Sequence, residues 1–197
     1  MKKGLPYYSL LLLSTLFISS CYYGKYKKFE PEIDQQTGVL RFTMHTDHVI
    51  PATLSTRRAR LSQRITREVA STGFERYEVY DRLILRNETF VPSETVYWLV
   101  DTKVFNIPIQ VHSTSTEREE ILSSTNTASG TRVQIDHEVE VTYRITYYLT
   151  AEQAKSIINS EDILVRYSSG PDRLTFDYTS IKRDELENLI TTTTEQD

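Results

Sequence analysis

Residues Val133 to Leu149 constrain the fold most. Val133, Ile135, His137, Val139, Val141, Tyr143, Ile145, Tyr147 and Leu149 alternate with Gln134, Asp136, Glu138, Glu140, Thr142, Arg144, Thr146 and Tyr148. A period of two over that length describes an extended strand with one buried and one wet face, because successive side chains of a strand point to opposite sides. Such a strand belongs in an antiparallel sheet that covers a core on one side only. Strands commonly end near ten residues, so a bulge or bend is expected within this one.

Further strands are expected at about Val39 to Met44, Tyr77 to Arg86, Val96 to Asp101 and Val104 to Val111, with Pro108 marking an edge or a bulge in the last. Thr56 to Ala70 reads two ways. As a helix it gathers Arg57, Arg60, Arg64 and Arg67 on one face and Leu61, Ile65 and Val69 on another. As a strand it alternates Ala59, Leu61, Ile65 and Val69 against Arg58, Arg60, Ser62, Arg64 and Thr66, with Gln63 and Arg67 breaking the pattern. Thr72-Gly73 suits a turn into the Tyr77 strand and favours the extended reading.

The C-terminal third is punctuated more sharply. Thr150-Ala151-Glu152-Gln153 has capping-box spacing, and Ala151, Ala154, Ile157 and Ile158 form one apolar stripe, predicting a short helix to about Asn159. Ile163 to Tyr167 and Arg173 to Tyr178 flank the turn residues Ser169-Gly170-Pro171-Asp172 and read as a hairpin. Ser180 to Ile190 follows as a second helix, packing Leu186, Leu189 and Ile190 with Ile181 near its start. The fold class is therefore α+β, mainly antiparallel β, a sandwich or an open sheet, with two short C-terminal helices flanking a hairpin. This tail looks like that of small envelope-associated β-rich proteins of unassigned function, often from Bacteroidota; the resemblance covers about the last 70 residues and implies no activity.

At the other end, Met1-Lys2-Lys3 precedes the mostly apolar run Tyr7 to Ile18. As a helix, about 12 residues rise about 18 Å, against a hydrocarbon core of about 30 Å, which suits a secretory leader and not a membrane span. Ile18-Ser19-Ser20-Cys21 resembles the lipobox of bacterial lipoproteins. That resemblance implies cleavage between Ser20 and Cys21, acylation of the Cys21 thiol by more than one chain, and attachment to a membrane that the protein does not cross. By the same resemblance, Tyr22 in place of aspartate favours the outer membrane of a two-membrane host. Residues 21–36, with Lys25, Lys27, Lys28 and Pro31, are expected to be a lipidated tether, residues 37–190 one β-rich domain, and 191–197 a frayed tail.

Losing Lys2 and Lys3 with the leader takes the formal charge from −4 to about −6, which argues against a nucleic-acid partner, whose phosphates require basic residues. The chain has 1 cysteine, so once Cys21 is acylated neither disulfides nor thiol catalysis remain. No Gly-x-Ser-x-Gly, His-Glu-x-x-His, Gly-x-Gly-x-x-Gly or phosphate-binding glycine loop is present in the sequence, and no cofactor is implied.

Candidate site residues are few. His45-Thr46-Asp47-His48 has weak metal-ligand character in His45, Asp47 and His48, and reads more simply as a solvated loop before Pro51. His137 reads as a core or strand-end residue. Asp136, Glu138 and Glu140 share one strand face and can pair with Arg58, Arg60 and Arg64, face solvent, or hold a calcium-type ion; pairing is favoured. Ser113 to Arg132, crowded with Ser and Thr around Glu117-Arg118-Glu119-Glu120, reads as a long disordered or functional loop. With 13 tyrosines and 1 tryptophan, Trp98, Tyr97 and Tyr148 can offer stacking faces to a glycan or a protein, although packing is the commoner use of such residues. The expected function is a non-enzymatic, membrane-anchored envelope component acting by protein contact. A lipid-anchored glycan or peptide binder is the alternative, and an envelope hydrolase comes third.

Overall fold

The computed structural model describes residues 29, 31–50, 58–127 and 130–193. The leader, Ser20, Cys21 and the tether as far as residue 28 lie outside the described residues. In chain order the elements are β1 (Glu32–Ile33), β2 (Leu40–Val49), β3 (Arg58–Val69), β4 (Glu75–Arg86), β5 (Thr95–Val100), β6 (Lys103–Pro108), β7 (Gln110–Thr127), β8 (Gly130–Leu149), α1 (Ala151–Lys155), β9 (Ile163–Ser169), β10 (Asp172–Asp177) and α2 (Ser180–Thr191). All pairings are antiparallel: a six-stranded sheet runs β1-β2-β3-β4-β8-β7 and a four-stranded sheet β10-β9-β5-β6. The chain is thus mainly antiparallel β with two short helices, and the larger sheet is curled.

The alternation of β8 is met in part: Thr142 and Thr146 of the expected wet face are buried, because the second sheet and its connections cover them too, and His137 of the expected buried face is exposed. Tyr143, Ile145, Tyr147 and Leu149 are buried, and Tyr148 on the other face is exposed. They meet Leu61 and Ile65 of β3, Val79, Leu83 and Leu85 of β4, and Val96, Trp98, Val165, Tyr167, Leu174 and Phe176 of the smaller sheet in one core. Fully burying a large apolar side chain stabilises by about 1.5–3 kcal/mol, so this shared core holds the two sheets together.

Thr56 to Ala70 resolves as a strand from Arg58. Gln63 and Arg67, which break the apolar alternation, occupy its buried register with Leu61, Ile65 and Val69 and are hydrogen-bonded there, Arg67 through Nη1 and Nη2 while its Nε has no partner among the described residues. Pro108 ends edge strand β6; lacking an N–H it cannot extend the ladder, and the chain crosses at Ile109 into the larger sheet. The predicted irregularity lies in β7, between Val111 and Ser113, and not in β8. Thr150 and Gln153 form the expected capping box, though α1 itself ends at Lys155, and Gly170 takes φ +56° in the β9–β10 turn.

Several expectations are overturned. Residues 113–132 are not a disordered loop: apart from 128–129, outside the described residues, they belong to β7 and β8, whose mutual pairing satisfies the backbone. The tether is shorter than 21–36, since Phe29 is buried, β1 pairs with β2, and Asp34 to Thr37 turn through bonds to the Asp34 carboxylate. Of the tail expected to fray from 191, Thr191 is still in α2 and the Thr192 carbonyl accepts from Arg67 Nη1 at 2.6 Å, while 194–197 lie outside the described residues. Ile181 is exposed; α2 buries Leu186, Leu189 and Ile190 alone.

Candidate functional site

The two ends of the β7–β8 hairpin differ. From Thr146 to Glu140, β8 lies between β7 and β4. β4 stops at Asn87, which adopts φ +54°, a left-handed conformation that asparagine tolerates better than most residues. Its N–H donates to the Val139 carbonyl and its Oδ1 accepts from the Val139 N–H, both at 2.8 Å, so one side chain replaces the next rung of the ladder. Outward from there β8 is paired, among the described residues, only by β7, from Arg118↔Val139 to Thr127↔Gly130. Ten residues at about 3.3 Å each make a two-stranded arm about 30 Å long. On its outer side β7 has no neighbouring strand among the described residues.

The base of this arm is acidic. Register places Glu117 opposite Glu140 and Glu119 opposite Glu138. Arg86, at the end of β4, donates Nε to Glu140 Oε2 at 3.0 Å and reaches Glu138 Oε2 at 3.8 Å, and Glu140 holds its guanidinium above the usual range. The carboxylates of β8 thus have a cation on their inner side. Those of β7, Glu117, Glu119 and Glu120, are exposed, and Glu117 and Glu119 with Arg86, Arg118, Glu138 and Glu140 border a concavity of about 470 Å³.

A second surface is a shallow cleft of about 610 Å³ at the β3–β4 turn, lined by Phe74, Arg76, Tyr148 and Lys155 among others. Phe74 is 66% and Tyr148 47% exposed, and the Arg76 guanidinium lies 5.2 Å from the Tyr148 ring centre while bonded to Glu68.

The other sequence candidates lie elsewhere. Trp98 is not a surface residue: it is 1% exposed, and its Nε1 donates to the Tyr147 hydroxyl at 3.1 Å. Tyr97, on the opposite face of β5, is half-buried and outside the cleft. His45, Asp47 and His48 lie within β2, not in a loop, and strand alternation separates them. His45 and Asp47 face outward, with Asp47 bonded to Arg60 at 3.2 Å. His48 faces the core, its Nδ1 2.9 Å from the Asp177 carbonyl and its ring 4.6 Å from that of Tyr178, so the three cannot share an ion. Burial lowers the His48 pKa and keeps the ring neutral, with Nδ1–H donating. His137 is exposed beside Glu120, not in the core. Arg60 and Arg64 do not pair with Glu138 and Glu140, because β4 lies between β3 and β8: Arg60 bonds Asp47 and Arg86 reaches both acids, while the side chains of Arg58 and Asp136 lie outside the described residues.

No helix among the described residues is long and apolar enough to cross a membrane. No protein-family model matches the chain, and no curated protein compared with it matches significantly.

Proposed function

We propose that the chain is a membrane-anchored lipoprotein of the bacterial cell envelope, a non-enzymatic structural or accessory component that works by protein contact through the β7 edge and the arm. Anchoring rests on the lipobox-like Ile18-Ser19-Ser20-Cys21 and the short apolar run before it. Contact rests on one observation: β7 offers the backbone groups along its outer side to no strand among the described residues. Long bare edges invite pairing, and proteins normally shorten, twist or cover them. The outer membrane is the proposed site of attachment.

Glycan or peptide binding is the second reading. The exposed Phe74 and Tyr148 rings favour it, while the burial of Trp98 removes the strongest stacking face from consideration.

A photo-crosslinking amino acid at Thr114 or Thr116, both exposed on β7, tests the contact reading against the same probe at Thr43, exposed on β2. Discrete adducts from the two β7 positions alone are expected in native membranes. Equal labelling at Thr43, or none anywhere, would count against it. For the anchor, Cys21→Ser is expected to move the protein from the membrane to the aqueous fraction and to leave the leader uncut; unchanged membrane association would refute lipidation.

A further inference from the structure

Resting on the protein-contact reading, we infer that the β7 edge accepts an extended, lysine- or arginine-bearing segment of another protein as an added antiparallel strand. Two independent observations meet at this edge. The first is the backbone: β7 is the last strand of its sheet among the described residues, and β-strand addition uses such unpaired N–H and C=O groups for affinity. The second is charge. Glu117 faces Glu140 and Glu119 faces Glu138 directly across the ladder, an arrangement that destabilises a sheet unless cations lie beside it.

Arg86 supplies a cation on the β4 side, bonded to Glu140 and near Glu138. The side beyond β7 holds no further strand among the described residues; Glu117 and Glu119 are exposed, and the one cation of β7 beside them is Arg118, which borders the same concavity against four carboxylates. Glu117 and Glu119 are two residues apart, a spacing of about 7 Å, which is also the spacing of alternate side chains on an incoming strand. A segment with basic residues at every second position therefore matches both the hydrogen-bonding edge and the acidic row. The same charges oppose a second copy of this chain, because pairing two β7 edges would bring one run of Glu117, Glu119 and Glu120 beside another.

The test uses the full-length processed protein in detergent and a fluorescent peptide, acetyl-Thr-(Lys-Val)4-Thr-amide, read by anisotropy at low and high salt. Binding that weakens with salt is expected, with at least tenfold loss for the Glu117→Lys/Glu119→Lys variant and a smaller loss for Glu117→Gln/Glu119→Gln. On the unaltered protein, the same peptide N-methylated at alternate residues keeps its charge but loses hydrogen bonds, and should bind at least tenfold more weakly. Equal binding of the N-methylated peptide, equal binding of the matching Glu-Val peptide, or no binding would overturn the proposal. So would sedimentation showing that the protein alone dimerises through this edge. Peptide failure with β7-specific crosslinks retained would remove the basic-strand assignment and leave the contact reading standing; loss of both would remove the contact reading as well.

Discussion

Asp81 is wholly buried on β4, and its Oδ2 accepts from the Tyr147 hydroxyl at 3.0 Å and from the Tyr167 hydroxyl of the opposite sheet. Tyr147 in turn accepts from Trp98 Nε1 and from Gln63 Nε2, and Tyr178 donates to Gln63 Oε1. Asp81, Tyr147, Tyr167, Trp98, Gln63 and Tyr178 thus form one connected group, while Asp81 Oδ1 has no partner among the described residues. Burial raises the Asp81 pKa to about 6 against the opposing pull of its hydrogen-bond donors. A carboxyl with a folded pKa above its unfolded 3.8 contributes stability that is complete below pH 3.8 and is lost as pH rises through about 6. His48 acts in the opposite sense: its lowered pKa contributes stability above 6.5 that is lost on acidification. Asp81→Asn removes the first effect and leaves the second. Relative to the native chain, the variant should therefore gain about 2 kcal/mol of unfolding free energy between pH 4.5 and 7.5, measured by urea denaturation at both values. A constant difference would mean that Asp81 does not titrate in this range.

At the scale of elements, no described side chain of the hairpin arm belongs to the core that holds the sheets. An isolated two-stranded ribbon is at best marginally stable in water, and among the described residues the arm beyond Asn87 is paired only within itself. Deleting residues 119–138 and joining Arg118 to Val139 through Asn-Gly, a favoured two-residue hairpin turn, should lower the melting temperature by no more than about 4 °C. The same deletion leaves Thr114, Thr116 and Glu117 on the edge but removes Glu119 and the outer part of the strand, so the β7 crosslinks should weaken. A collapse of stability would show that the arm packs on the body.

The sequence made β8, the β9–β10 turn and the capping box legible because each signal is local: a period of two, a turn cluster, two residues three apart. It concealed β7, because Ser113 to Glu120 is polar on both faces and gives no period to read. It also concealed which strands are neighbours. The matching rows of arginine and glutamate suggested β3 beside β8, yet only the nonlocal order of the sheet shows β4 between them with Arg86 in the pairing position. Trp98 and His48 were ambiguous for a related reason: an alternating strand states that one face is buried, while the sheet packed against it decides which.

Across the whole molecule, the larger sheet connects two different edges. Phe29 and β1 bring the N-terminal segment to one edge and β7 forms the other. The C-terminal helix closes the first side, and Arg67 ties it down. Its Nη1 donates to the Leu189 carbonyl at 3.2 Å and to that of Thr192 at 2.6 Å, where the helix dipole is negative, and its Nη2 donates to Glu75 Oε1 at 2.7 Å. Burial raises the Glu75 pKa, but hydrogen bonds from Arg67 and Tyr77 outweigh it and hold the carboxyl below its usual 4.5. The stability from this pair is therefore present above pH 4.5 and is lost on acidification. Arg67→Met should cost about 3 kcal/mol at pH 7, since it leaves a half-buried carboxylate and two helix carbonyls without their donor. Arg67→Lys should recover only part of it, because a single ammonium cannot match the planar fork that reaches the helix and Glu75 together. Adding Glu75→Gln to Arg67→Met should cost less than the two single losses combined, as coupled partners do, whereas strict additivity would show that they act independently. Amide exchange locates the effect: in Arg67→Met the α2 amides should exchange faster than those of β3 and β4, because the helix loses its tether before the sheet loses its core.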